Sequence, residues 1–528
     1  MAGGRNGLGR LRWLVVLAAL LAVALAASGV TDARTAAGCD SQVNNTPAKL
    51  LPCIKQADLW SYMTDFQAIA NAFPVDGHPS RNSGEPGYLA SALYVAAKMK
   101  SYGYSATLQP YPFQYFAFVG TPTMSEQSPT SQSYVLGTTW SAGHSSGSST
   151  AAIEVPPGDS YGCNASDFTG FTAGHIALVW RGSCYVGVKV QNATAAGASG
   201  VIVINYNGVG TLGASLIDAN GNAFVSTIPV AQIEYNAGVA LWNEYWQNPS
   251  TPPVIALSIQ GLTKTKTDYN VIAESRGGSK NHVLVVDAHL DAIDGAGMLD
   301  NASGSATLLD VARMMRNVNP TNKLRFIWFG GEEIDLLGSA YYVSHLSSTD
   351  LGRIGFDLDA DVMATPNYFI GVLDPTGDDF PSNVYAPSGV SRDQAIAYFD
   401  SIGKNHELIT PDGTDAYTFN AAGIPASGLL TGQDCCKSQE EVNLFGGQLG
   451  NYEGNLGTYD GGCVDQPFRW CDNLSNNDPN VLTFMSKAFA DMTVRMAYDR
   501  SVVWAGEKVT KPHGTPAHGG GTRSSPTS

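Results

Sequence analysis

The stretch of the chain with the clearest chemical content is residues 285–310, VVDAHLDAIDGAGMLDNASGSATLLD. It holds one histidine and five aspartates, and it contains neither lysine nor arginine. Carboxylates that are forced close together repel each other unless a cation compensates their charge. The composition therefore indicates that the positive charge is a metal ion, with a solvated polar loop as the alternative interpretation.

Acidic residues recur at the ends of three predicted strands, HVLVVDAHL, KLRFIWFGG and the strand through IGFDLDADVMA. Taken singly, each of these acids suits a helix cap or a solvated loop as well as it suits a ligand site. Ligands of α/β sheets bind at the carboxyl ends of the strands, so we expect these side chains to converge in one cleft. Neutral imidazole together with carboxylates is a donor set that suits zinc. The positions are His289, Asp291, Asp300, Glu332, Glu333 and Asp361.

The elements that must position these residues alternate in type from about residue 268. Strand HVLVVDAHL is followed by the amphipathic helix GSATLLDVARMMRN, strand KLRFIWFGG, helix IDLLGSAYYVSHL and two further strands, the second at NYFIGVL. This alternation predicts an α/β fold, with a mixed sheet flanked by helices on both faces. Residues 35–115 and 263–505 are assigned to this domain, and the earlier part contains the helix YLASALYVAAKMKSYGY, which ends at a glycine.

Residues 116–262 differ in composition, because Ser, Thr and Gly dominate and charged residues are sparse. Within HIALVWRGSCYVGVKVQNATAAGASGVIVINYNG the pattern predicts a strand, a helix and a second strand. Together with the phrase DFTGFTAGHIALVWRGSC, this segment resembles the protease-associated domain, a small non-catalytic insert of several secreted peptidases. The resemblance implies a smaller, β-rich α+β domain, and an unrelated β-rich domain is the alternative.

The chain termini and the overall charge limit the classes of function. Residues 1–34 predict a signal peptide, because three arginines precede the apolar run WLVVLAALLAVALAA and its small residues suit cleavage. That run is shorter than the roughly 20 residues of a membrane span, so an uncleaved anchor is the alternative and a secreted, extracellular protein is the prediction. Residues 506–528 are low in complexity and are predicted to be disordered. The net charge of −16 argues against nucleic acid as a partner.

The eight cysteines suit an oxidising compartment. Their short separations make local disulfides the simplest arrangement, although the sequence does not prove connectivity. The adjacent Cys435 and Cys436 are left open between a bridge and free thiols. The three predicted pairs are Cys39 with Cys53, Cys163 with Cys184, and Cys463 with Cys471.

Four phrases, AHLDAI, DNASGSA, GGEE and the ADVMATPN segment, resemble in order those of the co-catalytic zinc peptidases that include secreted bacterial aminopeptidases and aminopeptidase Y. The resemblance covers about residues 55–500. It implies the zinc exopeptidase fold, peptide substrates and two zinc ions, with calcium left open, and we expect a monomer. It also implies a role for each acidic position: His289 and Asp361 as ligands of one ion, Asp300 bridging both, Glu333 as a ligand of the other, Glu332 as general base, and Asp291 orienting the His289 ring.

The chain departs from that family at its last ligand, a histidine in a phrase like CYHxxCD. Here the matching stretch is GGCVDQPFRWCDNLSNND, with Val464 at the position of the tyrosine and Asp465 at that of the histidine. Either Asp465 is the second-site ligand, which is chemically plausible because carboxylate oxygen binds zinc at a distance similar to imidazole nitrogen, or the second site is lost. The other positions are intact, so retained activity is favoured over a catalytically impaired binding protein.

These observations together predict a secreted zinc exopeptidase that removes N-terminal residues from peptides. A carboxypeptidase of the same fold is the alternative, and it would need a basic group for the substrate carboxylate, for which Arg469 is the candidate. A second departure, Ala416 in place of a histidine in PDGTDAYTFN, concerns side-chain preference. Phe419, Phe468 and Trp470 would line an apolar pocket or belong to the ordinary core.

Overall fold

The computed structural model describes residues 36–75, 77–206, 216–219, 223–293, 295–376, 380–411, 413–432, 437–450 and 471–504. The predicted signal peptide, the tail 506–528, Cys435, Cys436 and the segment that carries Asp465 lie outside these residues. Among the described helices, none combines the length and the hydrophobicity that crossing a membrane requires.

The chain contains two compact units. Among the described residues, one unit is Pro112–Lys266, and the other comprises residues 36–111 and those from Thr267 to residue 504. The inserted unit therefore extends a few residues beyond both limits of the predicted insert, 116–262.

The strands are, in chain order, β1 (Ser105–Phe118), β2 (Thr123–Ser128), β3 (Gln132–Tyr134), β4 (Trp140–Ala142), β5 (Gly147–Glu154), β6 (Ile176–Trp180), β7 (Gly200–Ile204), β8 (Leu216–Ile217), β9 (Ala223–Phe224), β10 (Val230–Ile233), β11 (Val254–Ile259), β12 (Gly261–Glu274), β13 (Ser279–His289), β14 (Asn322–Phe329), β15 (Ile354–Ala360), β16 (Gly371–Leu373), β17 (Glu407–Ile409) and β18 (Ala426–Leu430).

The helices are α1 (Ala36–Ser41), α2 (Pro47–Leu50), α3 (Gln56–Ala72), α4 (Pro86–Tyr102), α5 (Val186–Ala195), α6 (Tyr235–Gln247), α7 (Ser303–Met315), α8 (Leu337–His345), α9 (Ser348–Leu351), α10 (Tyr385–Ser401), α11 (Asp415–Ala421), α12 (Gln439–Phe445) and α13 (Pro479–Met496). Short 3₁₀ turns occur at Leu51–Cys53, Ala165–Phe168 and Leu474–Asn476, and an irregular turn, Met298–Ala302, leads into α7.

The larger unit is built on a sheet in the order β1-β12-β14-β13-β15-β18-β16-β17. Its central strands β14, β13, β15 and β18 are mutually parallel, whereas β12 and β16 run antiparallel to their central neighbours. This is the mixed sheet that the sequence predicts. The carboxyl ends of the four central strands lie at one edge, and there the chain leaves β13 at His289, β14 at Phe329 and β15 at Ala360.

Helices cover both faces of this sheet, as predicted. Alternate side chains of β13 pack against helices on opposite faces. Leu284, Val286 and Ala288 pack into a core with α3, α4, α7 and α13. Val283 and Val285 pack on the opposite face with residues of α8 and α11. Side chains alternate between the faces of a strand, so Asp287 and His289 point to the same face as these two valines.

The inserted unit contains a second sheet, in the order β3-β2-β11-β5-β6-β7-β10-β4, and the small β8–β9 pair. The predicted strand, helix and strand correspond to β6, α5 and β7, and β6 and β7 are parallel. The Cys163–Cys184 disulfide ties the segment before β6 to the start of α5, and Cys39 and Cys53 are bridged in the other unit. Both pairs are those that the local spacing favours.

Two predicted elements are shorter than their patterns suggest. The helix in IDLLGSAYYVSHL begins only at Leu337, because Asp335 and Leu336 adopt left-handed backbone conformations with φ of 61° and 56°. The strand at NYFIGVL is reduced to Gly371–Leu373. In both places the chain turns shortly after candidate residues that follow a strand end, Glu332 and Glu333 after β14 and Asp361 after β15.

Candidate metal centre

Three of the predicted ligands meet at the carboxyl edge of the sheet. The Nε2 atom of His289 lies 2.9 Å from Oδ1 of Asp300 and 3.1 Å from Oδ1 of Asp361. One donor atom from each residue lies within 4.8 Å of the other two. Within the described part of the chain, this is the only group of three or more histidine, cysteine or acidic side chains whose donor atoms lie so close together. The residues come from the end of β13, the turn before α7 and the end of β15.

The donor atoms of this group fit a cation better than they fit each other. An imidazole Nε2 offers at most one hydrogen, yet two carboxylate oxygens lie within 3.1 Å of that atom of His289. A single hydrogen would have to serve two carboxylate oxygens, in a place where His289 and Asp361 are almost fully buried. Imidazole nitrogen with carboxylate oxygen is the type of donor set that binds zinc, so these residues fit that ion.

Asp291 is fully buried directly behind the histidine and is held by the GGEE turn. Its carboxylate accepts the backbone amides of Glu332 at 3.2 Å and Glu333 at 3.3 Å, and the hydroxyl of Ser83 at 3.0 Å. Oδ1 of Asp291 also lies 3.5 Å from Nδ1 of His289. At that distance the carboxylate orients the ring mainly by charge, while it fixes the turn by hydrogen bonds.

Glu332 and Glu333 follow β14 and share the turn that Asp291 holds. The carboxylate of Glu332 is buried, and its Oε2 lies 3.9 Å from Nε2 of His289. Burial raises the pKa of Glu332 well above its usual range, and neighbouring Glu333 adds to the effect, although His289 opposes it. Glu332 is therefore close enough to the ligand group to exchange a proton with a molecule held there.

Asp300 is placed by a loop with many hydrogen bonds. The carboxylate of Asp472 accepts the backbone amide of Leu299 at 2.8 and 3.0 Å and that of Asp300 at 3.1 Å. The next residue, Asn301, accepts the amides of Gly304 at 2.7 Å and Val362 at 3.2 Å through Oδ1. Its Nδ2 donates to Ala360 O at 2.9 Å, so the start of α7 is tied to the end of β15.

The surroundings of the centre carry a large excess of buried acid. Below the ligands, on the same face of the sheet, lie Asp287, Asp357 and Asp359, with Asp415 at the start of α11. Burial is the main cause that raises the pKa of each of these carboxyls, and repulsion between neighbouring carboxylates adds to it. The pKa of Asp359 is raised to about 7. Burial alone would lower the pKa of His289, but the carboxylates of Asp361 and Glu332 raise it well above its usual range. A cation at this edge of the sheet would offset this repulsion and favour the ionised carboxylates.

Two residues in the loop before α4 support the ligands, and the sequence pattern does not indicate either of them. Arg81 is fully buried, and its guanidinium donates to the carbonyls of Leu290 and Ala296, each at 2.6 Å, and of Gly297. Ser83 joins Asp291 to the GGEE turn, because its hydroxyl also accepts Gly331 N at 2.8 Å. Both lie in HPSRNSGEPGY, where the only available signal was a lone arginine among turn-forming residues.

Most of the remaining candidates fall outside the described residues. That segment contains Cys463, Val464, Asp465, Phe468, Arg469 and Trp470. Cys471 is in the described part of the chain and is disulfide-bonded. Phe419 is a core residue, fully buried with ring centroids 6.1 Å from Phe329 and 6.2 Å from Tyr342. Of the two interpretations of this aromatic residue, the structure therefore supports the ordinary core.

Comparison with known proteins matches two parts of the chain to families. Residues 270–492 match the model of peptidase family M28, and residues 150–241 match the PA domain. A curated relative, "Aminopeptidase" of Pseudomonas aeruginosa strain UCBPP-PA14, is 32% identical over 473 residues, which cover 87% of this chain and 84% of that protein.

Solved structures show the same fold. The aminopeptidase from Aneurinibacillus sp. strain AM-1 has a TM-score of 0.67 at 21% identity, over 90% of this chain and 100% of that one. BSAP, a zinc aminopeptidase from Bacillus subtilis, has a TM-score of 0.57 at 22% identity, over 86% of this chain and 97% of that one.

Proposed function

We propose that this chain, which belongs to peptidase family M28, is a zinc-dependent aminopeptidase that removes N-terminal residues from peptides at a centre of two zinc ions. The observation that supports the location of this centre is the group His289, Asp300 and Asp361, whose donor atoms lie within 4.8 Å of one another. The expected resemblance to co-catalytic zinc aminopeptidases with a protease-associated insert is confirmed by the two family matches.

We propose that His289, Asp300 and Asp361 would hold one zinc ion, and that Asp300, Glu333 and Asp465 would hold a second. When bound, zinc lowers the pKa of a coordinated water and polarises the scissile carbonyl. Asp465 carries a charge that a histidine would not, so its ligand role is the least conventional part of this assignment.

Glu332 is proposed as the general base. Its carboxylate lies 3.9 Å from the Nε2 atom of His289, and the backbone of the residue is fixed by Asp291. From this position the carboxylate accepts a proton from the attacking water and returns it to the departing amine. Such a group typically contributes 10²- to 10⁴-fold in rate.

The charge around the centre favours a free amine over a free carboxylate as the recognised end of the substrate. Asp287, Asp357, Asp359 and Asp415 lie buried beneath the ligands, and a bound cation would favour their charged form, in which they attract an α-ammonium group. Arg81 has no exposed surface and donates to three backbone carbonyls, so its guanidinium is not accessible to a substrate carboxylate. This supports the choice of aminopeptidase over carboxypeptidase.

We also propose that the protein is secreted after removal of residues 1–34. The Cys39–Cys53 and Cys163–Cys184 disulfides support this proposal, because structural disulfides persist in oxidising compartments. Detection of the processed chain in culture medium, with the N-terminus read by sequencing, tests it. A chain retained in the cell with residues 1–34 intact would contradict it.

The decisive experiment is hydrolysis of leucine p-nitroanilide by the purified chain, with and without a chelator, followed by addition of zinc. We expect activity that disappears with the chelator and returns with zinc, at a stoichiometry of two ions per chain. Activity that persists in the chelator-treated, zinc-free protein would refute the metal assignment. One ion per chain at full activity would refute the two-ion centre.

A further inference from the structure

The loop that carries the proposed bridging ligand is held from one side by a buried cation. Arg81, with no exposed surface, donates to Leu290 O at 2.6 Å through one terminal nitrogen and to Ala296 O at 2.6 Å through Nε. Its other terminal nitrogen donates to Gly297 O. One planar guanidinium thus joins the residue after His289 to the two residues that open the turn before Asp300.

The same loop is held from the other side by a buried anion. Asp472 accepts Leu299 N at 2.8 Å and Asp300 N at 3.1 Å, and its own carbonyl accepts Met298 N at 3.3 Å. Asn476 donates to the same carboxylate at 3.1 Å and fixes its orientation. The side chain of Asp472 is almost fully buried, so these contacts are not shared with bulk water.

The two charges divide the polar groups of the loop between them. Carbonyls of residues 290, 296 and 297 face Arg81, and amides of residues 299 and 300 face Asp472. Each charge meets the end of the peptide dipole that it attracts, and hydrogen bonds to ionised groups are roughly twice as strong as neutral ones. The backbone of Asp300 is therefore fixed by protein contacts alone.

Resting on the proposed function, we propose that Arg81 and Asp472 are positioning residues that clamp the 296–300 loop, preset the carboxylate of Asp300 for both zinc ions, and so determine zinc affinity and kcat. Neither side chain is proposed to touch the substrate. Supporting residues that orient ligands typically change metal affinity or activity 10- to 100-fold when they are replaced.

The geometry predicts how conservative replacements rank. Arg81→Lys keeps the charge but replaces a planar fork with a point charge that does not match three carbonyls in fixed directions. Arg81→Met removes the charge as well and leaves the carbonyls without donors. Asp472→Asn turns an amide nitrogen toward a backbone N–H, because both carboxylate oxygens are acceptors here.

The test compares these three variants with Arg325→Lys in the full-length chain. Arg325 is a part-buried arginine that pairs with Glu274 and Tyr342, so its replacement makes the same exchange without touching the loop. The zinc Kd is measured by competition with a chromophoric chelator, which requires no catalysis. The kcat and KM on leucine p-nitroanilide are then measured at saturating zinc, and the melting temperature of the zinc-free protein reports folding.

We expect Arg81→Lys and Asp472→Asn to raise the zinc Kd about 10- to 100-fold. The kcat should fall while KM stays within a few-fold, and Arg81→Met should be the most impaired. Arg325→Lys should leave Kd and kcat unchanged. If Arg81→Met does not fold, the two conservative variants carry the test.

Folded Arg81→Lys and Asp472→Asn proteins with wild-type zinc Kd and kcat would overturn the proposal. Failure of the wild-type chain to show zinc-dependent hydrolysis would instead count against the proposed function, and the comparison of Kd values does not depend on it.

Discussion

Replacing Asp291 by asparagine keeps the size of the side chain but removes an acceptor that four groups use at once. Oδ1 faces the amide of Glu332 and Nδ1 of His289, and Oδ2 faces the amide of Glu333 and the hydroxyl of Ser83. Whichever way the asparagine amide turns, its nitrogen points at a backbone N–H. We therefore expect both the histidine ring and the GGEE turn to lose their fixed positions.

The size of the effect follows from these contacts. One buried backbone donor without an acceptor costs about 1–3 kcal/mol of stability. Loss of the carboxylate that orients a ligating histidine typically weakens metal binding 10- to 100-fold, which is about 1.4–2.7 kcal/mol. The kcat should fall as well, because the carboxylate of Glu332 is carried by the turn that loosens.

The assay is the zinc Kd of Asp291→Asn, measured by chelator competition, with kcat measured at saturating zinc. Asp374→Asn is the matched control, because Asp374 is also buried and charge-paired, but with Arg392 on α10. A folded Asp291→Asn protein with the Kd and kcat of the wild type would refute the reasoning. Equal losses in the control would show that any buried carboxylate has this effect.

Three further predictions concern other parts of the chain. Glu332→Gln should lower kcat 10²- to 10⁴-fold with the zinc Kd within a few-fold, as measured by steady-state kinetics and chelator competition, and an unchanged kcat would remove Glu332 as the base. Asp465→Asn should reduce bound zinc from two ions to one by elemental analysis, whereas Asp465→His should retain two. Burial lowers the pKa of His144 from 6.5 to about 4 in the folded protein, so the unfolded chain binds more protons between these values and stability is lost as pH falls through this window. The loss is about 3 kcal/mol at most, and the melting temperature of the wild type should fall more steeply than that of His144→Gln between pH 7 and pH 4.

The strand-end positions of the centre could be predicted because their signal is local. His289 ends a short apolar run rich in valine that is typical of a buried strand, and Asp361 follows another such run. In parallel strands these ends must lie at one edge, so two local patterns gave a long-range proximity that the 3.1 Å contact between His289 and Asp361 now quantifies. The proximity of these two side chains was predictable because the periodicity of the sequence and the topology of the sheet carried the same information.

The contacts that hold the ligands could not be predicted, because they depend on tertiary proximity without periodicity. Ser83 and Asp291 are 208 positions apart, and nothing in a loop rich in Gly, Pro and Ser indicates which hydroxyl will reach a buried carboxylate. The sequence likewise gives no signal of the left-handed conformations of Asp335 and Leu336, because apolar residues with helical spacing continue across these positions. Turn geometry there is imposed by the structure around the GGEE turn.

The charge balance of residues 285–310 also changes meaning once the fold is known. Counting charges within the stretch finds no base, yet the fold brings Arg81 into the same site from more than 200 positions earlier. That arginine faces carbonyls, and its charge stabilises the backbone between His289 and Asp300 without pairing with either side chain. The carboxylates of Asp300 and Asp361 remain 2.9 and 3.1 Å from one imidazole nitrogen, with more buried acids beneath them. A buried arginine thus explains how the loop is held in place, and a bound cation is still required to explain why its acids face each other.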